Sequence, residues 1–209
     1  TAKELVLTQG RKLAQKGFRV VLPDAANHGE RKTERSPIPS LTFWNSIQSN
    51  LFEFSYIVDF FENLGVTNGQ IGVGGVSMGG MTTCGLLTKH PEITAAACIM
   101  GSPAMIKYRE RIQYHASAAG FFLPNDYEAL VSWINDYDLQ SQIETLAARP
   151  LLFWHGTEDE KIPYEHVKAF VDQFPQNNIE FISETERHLV KGETMNLVTD
   201  FFEKHLSVE

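Results

Sequence analysis

Ile71-Gly72-Val73-Gly74-Gly75-Val76-Ser77-Met78-Gly79-Gly80-Met81 is a short apolar run that breaks into Gly75-x-Ser77-x-Gly79. A helical pattern follows from Gly80 to Lys89. Strand, tight turn and helix in that succession form the setting a nucleophile elbow requires. The turn holds its central serine in a strained backbone conformation, so that the hydroxyl projects beyond the end of the sheet. Side chains two residues to either side are expected to collide with the crossing strand and helix, which explains the two glycines. By composition alone, G-x-S-x-G arises in about one chain in fifteen of this length. The flanking strand and helix signals are what raise it above coincidence.

Outward from the elbow, the chain alternates strands and helices. Ala2 to Lys16 reads as a helix stopped by Gly17, and Phe18–Leu22 as a short strand ended by Pro23. A loop, Asp24 to Arg31, leads through a proline-bearing segment to Ser40, a candidate cap for a helix running to Leu64. That helix is rich in aromatic residues (Phe43, Trp44, Phe52, Phe54, Tyr56, Phe60, Phe61), and this face is expected to be core. His90-Pro91 marks the end of the elbow helix, with His90 in a capping position. Strands follow at Ile93–Met100, Pro150–Trp154 and Ile179–Ile182, with helices at Tyr164–Phe174 and Glu193–His205. Residues 104–147 carry helical pieces and many aromatics but no strand signal. They read as a helical cap inserted in one domain spanning residues 1–209, an ordinary connecting helix pair being the simpler alternative. Such alternation implies an α/β fold with a mostly parallel sheet and helices on both faces.

In parallel sheets the reactive groups collect at the carboxyl ends of the strands. A serine hydroxyl needs a base within hydrogen-bond reach, and the base needs an acid to fix its tautomer and stabilise its charged form. The loop after Trp154 offers Asp159, with Glu158 as a neighbouring competitor, and the loop after the last strand offers His188. Ser77, Asp159 and His188 occur in the order used by the α/β-hydrolase fold. The backbone N–H of Met78, next after the serine and at a helix N-terminus, is the expected donor to an oxyanion. His28 and His155 read as loop braces, and His115, His166 and His205 as surface or cap residues.

Composition excludes other classes. The 209 residues, 43% hydrophobic and 21% charged, are ample for one core. A net charge of −8 supplies no basic field for nucleic acid or an anionic membrane. No apolar run is long enough to span a bilayer. Cys84 and Cys98 are too few for a disulfide framework, read as buried thiols and suit a reducing compartment, with the cytoplasm as the expected location. The dinucleotide fingerprint fails because its third glycine position is Ser77, no G-K-[ST] follows the glycine run, and no metal-ligand spacing is present. Neither a cofactor nor a metal is called for.

The segments Leu22-Pro23-Asp24-Ala25-Ala26-Asn27-His28-Gly29-Glu30-Arg31, Gly74–Gly80, Leu151–Asp159 and Glu186-Arg187-His188 resemble the small bacterial α/β-hydrolase esterases. The likeness is to the branch that includes prolyl-oligopeptidase-like and dienelactone-hydrolase-like proteins, and it spans essentially the whole chain. It implies Ser77 as nucleophile, Asp159 as acid and His188 as base, acting without a cofactor on small carboxylic esters. A serine at the elbow, in place of cysteine, speaks against a dienelactone hydrolase proper. The same three side chains would serve a peptidase or thioesterase, and a non-catalytic binding protein on this fold is a further alternative. Members of the group begin with additional strands and a His-Gly loop that lends a second oxyanion donor. Neither precedes Thr1 here, so the N-terminal strands are expected to belong to a segment outside this sequence.

Overall fold

The computed structural model describes residues 6–207. Among these residues four strands, β1 (Ile71–Val76), β2 (Ile93–Ile99), β3 (Leu151–Gly156) and β4 (Ile179–Glu184), form one sheet in the order β1-β2-β3-β4. Every neighbouring pair is parallel. Central strands covered on both faces are apolar without alternation. β2 and β3 show this in Ile-Thr-Ala-Ala-Ala-Cys-Ile and Leu-Leu-Phe-Trp-His-Gly.

Successive residues of a strand point to opposite faces, and β2 divides accordingly. Ala96 and Cys98 belong to one buried cluster with Trp44, Ile47 and Leu51 of α2 (Leu41–Asn63). Met81 and Leu87 of α3 (Met78–Leu87), and Val167 and Phe170 of α6 (Tyr164–Gln173), complete that face. Ala95, Ala97 and Ile99 turn the other way, against Val198, Phe201 and Phe202 of α7 (Gly192–His205). Leu13 of α1 (Leu7–Gln15) packs there too. The helices thus lie on both faces, as the alternation of elements predicts.

Between β2 and β3 the regular structure is all helical: α4 (Met105–Ala118), α5 (Tyr127–Leu130) and two 3-10 stretches, Ser132–Asp136 and Leu139–Leu146. Met105, Tyr127, Ile134, Leu139 and Leu146 from this run enter the same cluster as Trp44. Buried Asp138 ties the pieces together, accepting the N–H groups of Ile106 and Ser141 at 3.1 Å each.

Several expectations need correction. Phe18–Leu22 has no strand ladder and does not pair with β1, because the neighbour that would make it a strand is lacking among the described residues. The first helix is assigned from Leu7, and its expected start at residues 2–5 falls outside the described residues. Its Gly17 stop is as expected: with φ 93°, it places its own N–H on Ala14 O and that of Phe18 on Leu13 O, a Schellman end. Ser40 precedes α2 but makes no side-chain cap bond. The aromatic face of α2 is only half core: Trp44 is fully buried, whereas Phe52, Tyr56 and Phe60 are 56%, 76% and 58% exposed. The elbow helix starts at Met78, ahead of Gly80. At its end Arg149 donates to Leu87 O, the last helical carbonyl, and to His90 O just beyond, at 2.7 Å each, while His90 Nδ1 faces Glu92 Oε1. Cys84 and Cys98 are free and buried, and burial pushes the Cys84 thiol up. No helix among the described residues is long and apolar enough to cross a membrane.

Candidate active site

Where β1 ends, Ser77 adopts φ 58° and ψ −114°, a conformation that costs a non-glycine residue roughly 1–3 kcal/mol. The fold offsets this by gripping the residue from both sides. Ser77 N–H donates to Ile99 O of β2 at 2.8 Å, and Ser77 O accepts Met81 N–H at 3.1 Å. A Cβ added at Gly75 would lie 2.3 Å from the carbonyl carbon of Gly79, so this glycine is obligatory. A Cβ at Gly79 itself would meet nothing within 4 Å outside its own helix. The collision expected at both glycines therefore exists only at Gly75. Met78 opens α3 directly after the serine, and its N–H belongs to the first turn, where no helical carbonyl can accept it.

The sheet edge brings three predicted residues into one chain of contacts. His188 Nε2 is 2.9 Å from Ser77 Oγ, and His188 Nδ1 is 2.7 Å from Asp159 Oδ2. A carboxylate can only accept, so Nδ1 carries the imidazole proton and Nε2 is free to accept the serine hydroxyl. The Asp159 side chain is fully buried and that of His188 only 9% exposed. Burial by itself would raise the Asp159 carboxyl. Hydrogen bonds from His155, His188 and the N–H groups of Ile162 and Lys161 outweigh it and hold the acid well below the usual carboxylate range. Glu158, the sequence competitor, is exposed and meets the histidine loop through its backbone N–H.

The acid and histidine loops are joined by their main chains. Thr157 N–H donates to Glu184 O at 2.8 Å and Glu158 N–H to Glu186 O at 3.0 Å. Gly156 makes that approach possible, because a Cβ there would sit 2.2 Å from Glu186 O. Arg187 adds an ion pair to Glu160 at 3.3 Å.

Beside these residues, sequence reading missed the setting of one histidine and saw only part of that of another. His166, expected at the surface, is partly buried, with Nδ1 3.0 Å from the Oγ of fully buried Ser102. Ser102 Oγ in turn accepts Ala104 N–H at 3.1 Å. Burial, aided by the charges of Lys107 and Arg111, pushes His166 down to about 4, so it is neutral at pH 7. His155 braces its loop as expected, with Nε2 2.9 Å from Ile162 O, but is in addition fully buried beside Asp159. The one available signal was its place at the end of an otherwise apolar strand. No group of three or more His, Cys, Asp or Glu side chains is arranged to hold a metal ion among the described residues.

The chain is similar to known proteins in sequence and in fold. YitV of Bacillus subtilis (strain 168) is 34% identical over 219 residues, covering 99% of this chain and 86% of that protein. Esterase YjfP of Escherichia coli (strain K12) is 27% identical, covering 93% of this chain and 80% of its own. Among solved structures, TT1662 from Thermus thermophilus superposes with a TM-score of 0.75 at 18% identity, covering 97% of this chain and 83% of that one. The Pyrococcus furiosus esterase Pf2001 gives 0.62 at 19%, covering 94% and 74%. These two likenesses concern the fold, which is that of the α/β hydrolases. The model of the prolyl oligopeptidase family matches residues 50–209, and the chain is an enzyme belonging to that family.

Proposed function

We propose that this protein is a serine carboxylesterase acting on small carboxylic esters through Ser77, His188 and Asp159. The observation that carries the reading is the unbroken path of 2.9 Å and 2.7 Å from hydroxyl to imidazole to carboxylate. Ser77 Oγ attacks the ester carbonyl carbon while His188 Nε2 takes its proton, and ionised Asp159 stabilises the imidazolium. The developing oxyanion faces the Met78 N–H. His188 then hands its proton to the leaving alkoxide as the carbon–oxygen bond breaks, leaving an acyl-serine. Water, deprotonated by His188, attacks the acyl carbon, and the carboxylic acid departs as Ser77 recovers its proton.

Residues 104–147 form a cap inserted in a single domain of residues 1–209, and shape an apolar pocket for the substrate. The esterase name of YjfP supports ester substrates. The family's own description, prolyl oligopeptidase, favours a second reading in which the scissile bond is an amide.

Labelling with a fluorophosphonate probe tests the nucleophile: the native protein is expected to label and Ser77→Ala to lose the label together with ester turnover. A label that persists in Ser77→Ala overturns the assignment. p-Nitrophenyl esters of graded acyl length, set beside a p-nitroanilide, decide between ester and amide.

A further inference from the structure

The carboxylate of Asp159 is shared by two imidazoles. His155 stands at the end of β3 with a side chain that is fully buried. Its Nε2 lies 2.9 Å from Ile162 O and 3.3 Å from Asp159 Oδ2. A carbonyl and a carboxylate both accept, so Nε2 carries the proton and is shared between them. Its Nδ1 is buried without a partner among the described residues. The ring is thus oriented by what Nε2 grips.

Asp159 divides its acceptor capacity accordingly. Oδ1 receives the N–H groups of Lys161 and Ile162 at 2.8 Å and 3.0 Å, which closes the acid loop on itself. Oδ2 receives His188 Nδ1 and His155 Nε2. We infer that His155 is a positioning residue that sets the strength of the Asp159–His188 bond, and through it the basicity of His188. The inference rests on the serine-hydrolase reading given above.

Two effects follow from one donor. By holding the Ile162 carbonyl, His155 fixes the loop so that Oδ2 faces His188. By donating to Oδ2, it withdraws negative charge that would otherwise stabilise the His188 imidazolium. Losing the donor therefore lowers turnover through geometry. It also keeps His188 protonated to higher pH, so the acid limb of the rate profile moves upward. The titratable and charged groups around the two rings are the shared Asp159, Tyr164 and His166 on α6, Tyr108 on α4, which feels the Asp159 charge, and Glu160, which accepts the His188 backbone N–H at 3.4 Å and pairs with Arg187. His166 titrates near 4, outside a profile recorded above about pH 5.

The test uses the full chain and three substitutions. His155→Phe keeps the ring and removes the donor. The amide nitrogen of His155→Gln stands where Nε2 stood, and that of His155→Asn reaches only the Nδ1 position. kcat and KM for p-nitrophenyl butyrate are followed from about pH 5 to about pH 9, with thermal melts reporting folding and fluorophosphonate titration counting reactive serines. His155→Phe and His155→Asn are expected to lose about 10–100-fold in kcat with KM changed by less than about threefold. Their acid limb should rise by about half a unit or more, and His155→Gln should regain both properties. A folded His155→Phe with the native acid limb overturns the inference. So does His155→Gln performing no better than His155→Asn, the comparison that decides if the phenylalanine variant does not fold. If the native protein itself fails to label at Ser77, the hydrolase reading falls and takes this inference with it.

Discussion

Ser77 and the pair Asp159–His188 meet at one sheet edge but are fixed by different means. The serine is held locally, by a φ of 58°, the close approach of Gly75 to Gly79, and one bond to the adjacent strand. Asp159 and His188 lie 29 positions apart and have no such local constraint. They are held by each other, by main-chain bonds between their loops, and by the donors converging on one buried carboxylate. The place of Ser77 is thus a matter of backbone strain, and that of Asp159 and His188 a matter of electrostatics and loop docking.

The comparison breaks most visibly at the carboxylate. Asp159→Asn keeps the shape but offers His188 the wrong group, and should lower kcat by about 10⁴-fold. The same variant reads out the charge. Because the folded carboxyl lies below its ordinary value of about 3.9, its stabilisation is present above that pH and fades as pH falls through the folded value. The stability advantage of the native chain over Asp159→Asn, from urea unfolding, should therefore shrink below about pH 4. An advantage that stays constant there would mean that charge plays no part in holding the loops.

Gly75→Ala strikes the other region. Its new methyl would stand 2.3 Å from backbone, so the elbow must deform, at about 2 kcal/mol or more in urea unfolding and with loss of fluorophosphonate labelling. Gly79→Ala sharpens the same point from the mild side. With nothing within 4 Å of the added Cβ, it should change stability by less than about 1 kcal/mol and leave labelling intact. Equal damage at the two positions would refute the local picture of the elbow.

The contrast also explains what could be read from the chain. The parallel sheet, its helices and the elbow were legible because each follows from local periodicity or from a strained turn within a few residues. Asp159 and His188 were legible through the rule that places reactive groups past strand ends. His155 was legible as a loop brace but not as a neighbour of the carboxylate, and Gly156 and the Ser102–His166 pair were not legible, since each depends on a partner far along the chain or on the approach of a second loop. Phe18–Leu22 misled for the same reason: apolar β-branched residues indicate a strand, but only a neighbouring strand makes one. The aromatic run of α2 carried no mark of where its buried half ends, because that boundary is set by what packs against it.

The main-chain bonds from Thr157 to Glu184 and from Glu158 to Glu186 restrict how this enzyme can be remodelled. The loops that carry Asp159 and His188 are joined as a single cassette, so lengthening either alone would shear the register of the other. Transplanting both together between related scaffolds would preserve it, and sequence diversity is better introduced at other strand ends.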